Sequence, residues 1–514
     1  MTSATDLSSS LDRLGSFRES VEIPVDALHV KAAVLLQRGF RLALVTALDG
    51  HRSMWVTYLF TSGPPDRRIE LVVEIDRRRP EIPSLAALSF PASRFEREMH
   101  DLFGIVPVGH PFLRRLVLHQ HWPEGWYPMR RDAGPVPALV DDARSYPFVE
   151  VQGSGVYEIP VGPVHAGLIE PGHFRFSVVG ETILKMKARL WFVHKGIERL
   201  FEGQNTDEGV VLAERISGDS AVGHGLAYCM AVEEARGIEV SSRTHELRCL
   251  VLELERLYNH VADIGALCND VGFGLAQARA LTLRERLLRL NGSVTGHRLL
   301  RGAITPGEVH LRALPKATDL EEIGERFRDL VELARGQSTV VDRFTGTAVL
   351  RAGDADALGV LGVVARASGS TLDARVAHPV GEVPLARLAP VRAQNGDVLA
   401  RFDVRVEEAE ASLTMVANYC MRPGELMSSH RAFGDRGLPA GSGNRAGTGI
   451  VEGWRGSVVH RIEVDESGRL ARVKVVDPSF FNWPALSVAL TDTIVPDFPL
   501  ANKSFNLSYA GNDL

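Results

Sequence analysis

Arg215-Ile216-Ser217-Gly218-Asp219-Ser220-Ala221-Val222-Gly223-His224 is a short polar loop that breaks into an apolar run, and the run continues to Arg236 with apolar residues at three- and four-residue steps. That period sets them on one face of an α-helix. A longer run of the same kind extends from Thr244 to Asn269, so this half of the chain is predicted to have a helix-bundle core. The loop itself places Ser217 and Ser220 ahead of His224. A soft, redox-active metal is held by charged, polarizable thiolate, whereas a serine hydroxyl stays protonated at neutral pH and offers a weak, hard oxygen.

Cysteine is scarce everywhere else. The four that exist are Cys229, Cys249, Cys268 and Cys420, and none is spaced as in a zinc, iron-sulfur or redox motif. Three lie in apolar, helix-like segments, where a small buried hydrophobe is the ordinary reading. So low a count fits a reducing compartment and gives no disulfide framework. With 514 residues, 45% of them apolar and 24% charged, the chain is long enough for two or three domains of ordinary globular composition. A formal charge of -6 leaves no footprint for nucleic acid. Met1 to Arg18 is polar and serine-rich, and no uncharged apolar run reaches the ~20 residues of a membrane helix, so membrane contact is expected to be indirect. No Gly-x-Gly-x-x-Gly stands between a strand and a helix, which assigns any nicotinamide chemistry to a partner.

The fold class expected is α+β: a small N-terminal α+β domain over residues 1–132, a linker over 133–155, and a large, mainly helical domain over 156–514 that opens with a β-hairpin. In the first part, Phe40–Thr46 and Trp55–Phe60 read as strands between helical stretches. The linker carries Pro135, Pro137, Pro147 and Gly153 with little periodicity. In Phe95-Glu96-Arg97-Glu98-Met99-His100-Asp101-Leu102-Phe103-Gly104-Ile105, the residues Phe95, Met99, Leu102 and Phe103 recur at helical spacing and Gly104 can stop the helix. On that reading alone Glu98 and Asp101 form a solvated face.

Resemblances sharpen this outline. The Phe95–Ile105 string, with Gly109-His110-Pro111, Leu113-Arg114-Arg115-Leu116, Trp122 and Pro128–Asp132, resembles the small peripheral-arm subunit of respiratory complex I, and implies a subunit interface at Arg114, Arg115 and Trp122. Gly162–Phe176 resembles the opening hairpin of the nickel-iron hydrogenase large subunit, above all the fused large subunit of formate hydrogenlyase and other energy-converting hydrogenases. Val193–Leu200, Arg366-Ala367-Ser368-Gly369, Gly396–Phe402, Glu452-Gly453-Trp454-Arg455-Gly456 and Asp477–Leu486 follow in that family's order. In the hydrogenases the Arg215–His224 loop and the C-terminus each supply two cysteines to nickel. Here those positions align with Ser217 and Ser220, and with Ser508 and Gly511, so the resemblance implies a family member without the nickel-iron centre and with no metal.

The same resemblance implies roles for other residues. Glu170, ahead of Gly172-His173-Phe174-Arg175, matches the hydrogenase proton-passing glutamate; it is a relay together with His173 and His224, or a hairpin-tip carboxylate accepting backbone hydrogen bonds. His224 is then an active group or a satisfied core histidine. Arg366, Asp373 and Arg375 line the cavity by analogy, or form a structural ion network. The quinone-binding relatives use a hairpin histidine and a tyrosine, and the tyrosine position falls on Gly218. The implied assembly places this chain at the cytoplasmic side of the cell membrane. It would dock on a small iron-sulfur subunit seated on membrane antiporter-like subunits, bind no cofactor of its own, and have a quinone as candidate acceptor. A non-catalytic scaffold or gating role in the same complex stays open.

Overall fold

A computed structural model describes residues 11–140, 146–167, 169–381, 391–422 and 445–514. The first ten residues of the polar start, residues 141–145 of the linker and Leu168 of the hairpin loop lie outside the described residues.

The N-terminal part is a four-stranded sheet. Strand β1 (Phe17–Ile23) pairs in parallel with β4 (Arg67–Asp76), which continues antiparallel to β3 (Ser53–Ser62) and then β2 (Arg41–Asp49). The helix Phe90–Phe103 packs against β2. It ends at Gly104, whose φ of +70° suits a residue without Cβ and whose N–H closes the last turn on the carbonyl of His100. Short parallel strands β5 (Glu81–Pro83) and β6 (Val106–Val108) flank that helix.

Glu98 and Asp101 do not face solvent. The Asp101 carboxylate accepts the backbone N–H groups of Leu116 and Val117 at 2.8 Å and of Leu118 at 3.2 Å, and Glu98 takes the ammonium of Lys474 at 2.6 Å. The helix is clamped between its own sheet and the C-terminal half, so both of its faces are buried. Helical spacing alone cannot reveal a second covered face.

The C-terminal part opens with an antiparallel meander of β7 (Val156–Val161), β8 (His173–Val179) and β9 (Thr182–Arg189), one strand more than the expected hairpin. Helices Ala221–Arg236, Ser242–Asp270, Gly274–Thr295, Ala317–Arg335 and Val398–Cys420 form the bundle, with a minimal hairpin of β10 (Ile304–Thr305) and β11 (Glu308–Val309) beside it. A further antiparallel sheet, β12 (Arg445–Gly453), β13 (Gly456–Val464) and β14 (Leu470–Val476), stands inside the protein. Every residue of β13 is buried. One side carries the helix Ala221–Arg236, which lies so close that a Cβ on Gly449 would come within 1.9 Å of the carbonyl of Ala227. On the other side, Arg68 reaches the carbonyl of Thr448 at 2.7 Å and Arg461 grips Glu70 at 2.8 and 3.1 Å. The N-terminal sheet therefore covers this surface. One apolar cluster runs from Phe17 and Phe60 through Phe95 to Phe480, Trp483 and Tyr509, so the two halves share a core.

Candidate functional site

A cavity of about 620 Å³ opens where four distant segments meet. The loop between β7 and β8 contributes His165, Ile169 and Glu170, and the loop ahead of helix Ala221–Arg236 contributes Ser217, Gly218 and Asp219. Arg455 enters from the β12–β13 turn, and Phe498, Asn506, Ser508 and Tyr509 come from the C-terminal helices.

The floor is a hydrogen-bonded set. The Ser217 and Ser508 hydroxyls lie 2.8 Å apart, and Ser508 also caps the last helix by accepting the N–H of Gly511 at 2.9 Å. Ser220 accepts from the indole N–H of Trp454 at 3.1 Å and from Arg455 at 3.2 Å. Arg455 lies over the Trp454 ring, 3.9 Å from its centroid, and grips Asp219 with two bonds of 2.6 and 2.7 Å. Burial opposes the charge on Asp219, and the guanidinium overrides it, holding the carboxyl below its ordinary range. Under the floor, Asp477 accepts the N–H of Ser479 at 2.7 Å and bonds Nε2 of His224 at 3.0 Å. His224 in turn meets His460 at 3.0 Å. Burial works against the Asp477 charge too, but the bond from His224 holds its pKa down.

The candidate residues separate. Glu170 lines the cavity and accepts the N–H of Ala510 at 3.0 Å. His224 is fully buried behind the floor. His173 starts β8, with Nδ1 3.2 Å from the carbonyl of Gly162 and its ring beside Phe148, away from the cavity lining. Among the described residues no hydrogen bond links Glu170 to either histidine.

Arg366, Asp373 and Arg375 do come together, but not at the cavity wall. Arg366 is buried and bonds Glu408 and Glu452 at 2.7 Å each, while Arg375 joins Asp373 at 2.7 Å and Glu253 at 3.3 Å. Burial disfavours the Glu408 charge, yet Arg366 and His260 hold its pKa well below the carboxylate range. The Arg115 guanidinium bonds the carbonyls of His119, Trp122 and Pro123 at 2.7–3.2 Å; Arg114 reaches the carbonyl of Pro147, and Trp122 stacks on Trp126.

A thiolate-held nickel does not fit this donor set. Of the four positions, Ser217 and Ser508 are hydroxyls bonded to each other, Ser220 is held by Trp454 and Arg455, and Gly511 has no side chain. A Cβ at Gly511 would come within 2.6 Å of the Asp477 carboxylate. The cysteines lie elsewhere, with burial pushing the Cys249 and Cys268 thiols up to about 12. Among the described residues no group of three or more His, Cys, Asp or Glu is arranged to hold a metal ion.

Sequence reasoning missed His165, Asp219, Arg455, Asp477 and Tyr509. The Glu452–Gly456 and Asp477–Leu486 strings carried two of them, but nothing local disclosed their convergence. Tyr509 is the most telling. Its ring lines the cavity while its hydroxyl oxygen is itself buried, and burial raises its pKa to about 12, so the phenol stays protonated.

Two family models match: residues 21–137 fit the respiratory-chain NADH dehydrogenase 30 Kd subunit, and residues 270–434 fit the 49 Kd subunit. The chain is 31% identical over 480 residues to formate hydrogenlyase subunit 5 of Escherichia coli, covering 91% of this chain and 82% of that one. It is 29% identical over 425 residues to the C/D protein of the NADH-quinone oxidoreductase of Phocaeicola vulgatus, covering 77% and 82%. Among solved structures, a chain of the membrane-bound sulfane sulfur reductase, an archaeal respiratory membrane complex, superposes with a TM-score of 0.64 at 25% identity, over 70% of this chain and 99% of that one. A 30 Kd-type unit fused to a 49 Kd-type unit is the class that this fold defines. The chain belongs to the family of fused respiratory-complex subunits that includes formate hydrogenlyase subunit 5 and the NADH-quinone oxidoreductase C/D proteins. By name its relatives include subunits of formate hydrogenlyase and of NADH-quinone oxidoreductase and a chain of an archaeal respiratory membrane complex, while no helix among its own described residues is long and apolar enough to cross a membrane.

Proposed function

We propose that this chain is the nickel-free large subunit of a membrane-associated, energy-converting complex, taking part in electron transfer coupled to ion translocation. One observation carries the reading: the positions that would ligate nickel are tied up in the Ser217–Ser508 hydroxyl pair and the Ser220–Trp454–Arg455 contacts, yet a cavity of about 620 Å³ stands above them. The chain docks on a small iron-sulfur subunit, seated on antiporter-like membrane subunits, and is held at the cytoplasmic face through them. Electrons come from the partner's cluster.

A quinone-type acceptor is the ligand that the lining supports best. Ile169, Phe174, Phe498 and the ring of Tyr509 give apolar walls for a flat ring. Reduction to the quinol takes two electrons from the cluster and two protons, for which Glu170 at the cavity rim is the ionisable entry point. A scaffold or gating role has one observation in its favour, since the buried charge network around Arg366 and Glu408 does not line the cavity. Glu170→Gln separates the two. Its amide oxygen can still accept from Ala510, so assembly is kept. Loss of a general acid–base group lowers acceptor-dependent turnover by roughly 10²-fold or more if the cavity is catalytic; unchanged turnover supports the scaffold instead.

A further inference from the structure

A second pocket, of about 370 Å³, lies between the helix Phe90–Phe103, strand β9 and the helix Pro478–Ala489. It is separate from the cavity above and owes nothing to the reading given to that cavity. Three arginines line it, Arg94, Arg97 and Arg189, and no lining residue is an aspartate or glutamate. Among the described residues none of the three has a carboxylate within ion-pair distance. Arg94 bonds the Asn512 side-chain oxygen at 3.1 Å, Arg97 takes the carbonyls of Arg114 and Arg115, and Arg189 takes those of Leu116 and Leu118.

That arrangement is costly as it stands. Arg94 is 9% exposed and Arg189 4% exposed, and the Nε of each is buried with no hydrogen-bond partner. Buried guanidinium is normally paired, because an unpaired buried charge is expensive. Ring faces help only in part: Arg94 lies 4.7 Å from the Phe480 centroid and Arg189 4.7 Å from that of Tyr146, but rings bring no counter-charge. The nearby carboxylates are committed elsewhere, Glu98 to Lys474, Asp101 to three backbone N–H groups and Asp513 to the N–H of Val193. Burial first, and then repulsion from Arg97, lower Arg94 to about 9, and burial lowers Arg189 to about 10. Three mutually repelling cations with spare donors await an anion. The first turns of the helix, at Phe90 and Ser93, add their positive end to the same pocket.

We propose that this pocket binds a phosphate monoester, its oxygens on Arg94, Arg97 and Arg189 and its organic body between Phe112 and Trp191. A dianionic phosphate, with three strong acceptor oxygens, matches three planar guanidinium forks better than a single carboxylate does. The volume suits a small ring-bearing ester.

The test uses the purified full chain. Inorganic phosphate and phenyl phosphate are titrated by calorimetry against chloride of matched ionic strength, and vesicles containing phosphatidic acid are tested by co-sedimentation. One-to-one binding of phosphate, tighter for phenyl phosphate, with no sedimentation, supports the site with a soluble ligand. Co-sedimentation that Arg97→Gln abolishes supports it with a lipid headgroup as the source. Arg97→Gln weakens phosphate binding by about tenfold or more, the loss expected for one charge-assisted hydrogen bond. Should that variant prove unstable, Ser93→Glu, which sets a negative charge in the pocket, abolishes binding. The proposal is overturned if neither phosphate binds above the chloride control and vesicles do not sediment, or if a folded variant binds as the natural chain does.

Discussion

Placing a methyl group at Gly511 tests the packing beneath the cavity floor. The new Cβ would stand 2.6 Å from the Asp477 carboxylate, closer than any ordinary contact, so Asp477 must move away. Asp477 is held by the N–H of Ser479 at 2.7 Å and by His224 at 3.0 Å, and all of these groups are buried. Overpacking of this kind costs about 1–3 kcal/mol, and weakening a charged hydrogen bond about 1.5–3 kcal/mol more. Against this, alanine favours the helix Tyr509–Asp513 by about 1 kcal/mol over glycine. Gly511→Ala should therefore destabilise by about 2–5 kcal/mol, although propensity alone points the other way. Urea unfolding of both proteins measures it, as a lower midpoint at unchanged slope. The control is Gly218→Ala, whose Cβ meets nothing nearer than Arg301 at 4.0 Å and which should stay within about 0.5 kcal/mol of the natural chain. If Gly511→Ala is as stable as Gly218→Ala, the account of the floor is wrong.

Other consequences follow from single groups. Tyr509→Phe removes a hydroxyl that is buried beside the cavity wall without a hydrogen-bond partner, so it should leave the urea midpoint unchanged or raise it; a loss of about 1 kcal/mol or more would mean that the hydroxyl is bonded. Arg366→Met leaves Glu408 and Glu452 without their shared cation and should cost about 3–5 kcal/mol, read as a lower urea midpoint; a neutral result would mean that the network is solvated. Burial raises Asp513 from 3.8 to about 6, so the folded state holds a proton there that the unfolded chain releases. Stability relative to Asp513→Asn should thus fall as pH rises from about 4 to about 6, by about 3 kcal/mol in all. A parallel pH profile for the two proteins would contradict that burial.

The helices were legible because their apolar residues keep a 3.6-residue period, as from Gly223 to Arg236 and from Thr244 to Asn269. The sheet formed by β12 to β14 was not. Its strands are covered on both sides, so alternation is lost, and β13 buries His460, Arg461 and Glu463, whose partners Glu70 and His224 come from distant parts of the chain. The same blindness put Glu98 and Asp101 in solvent. The ligand loop and the C-terminus were recognised as partners, and the structure does bring Ser217 to Ser508. His173 was drawn in by its neighbours in sequence, but alternation along β8 and the course of the loop from Gly162 turn it away, while His165 lines the cavity instead. Asp219 and Arg455 are 236 residues apart, a pairing that only the fold can make.

In the function proposed above, the cavity works without nickel. The most direct measurement is elemental analysis of the intact complex purified from its native membrane, giving nickel and iron per mole, together with hydrogen uptake using an artificial acceptor. The account expects iron from the partner subunit, no nickel and no hydrogen activity. Stoichiometric nickel with hydrogen uptake would contradict it, and would mean that groups other than Ser217, Ser220, Ser508 and Gly511 hold the metal.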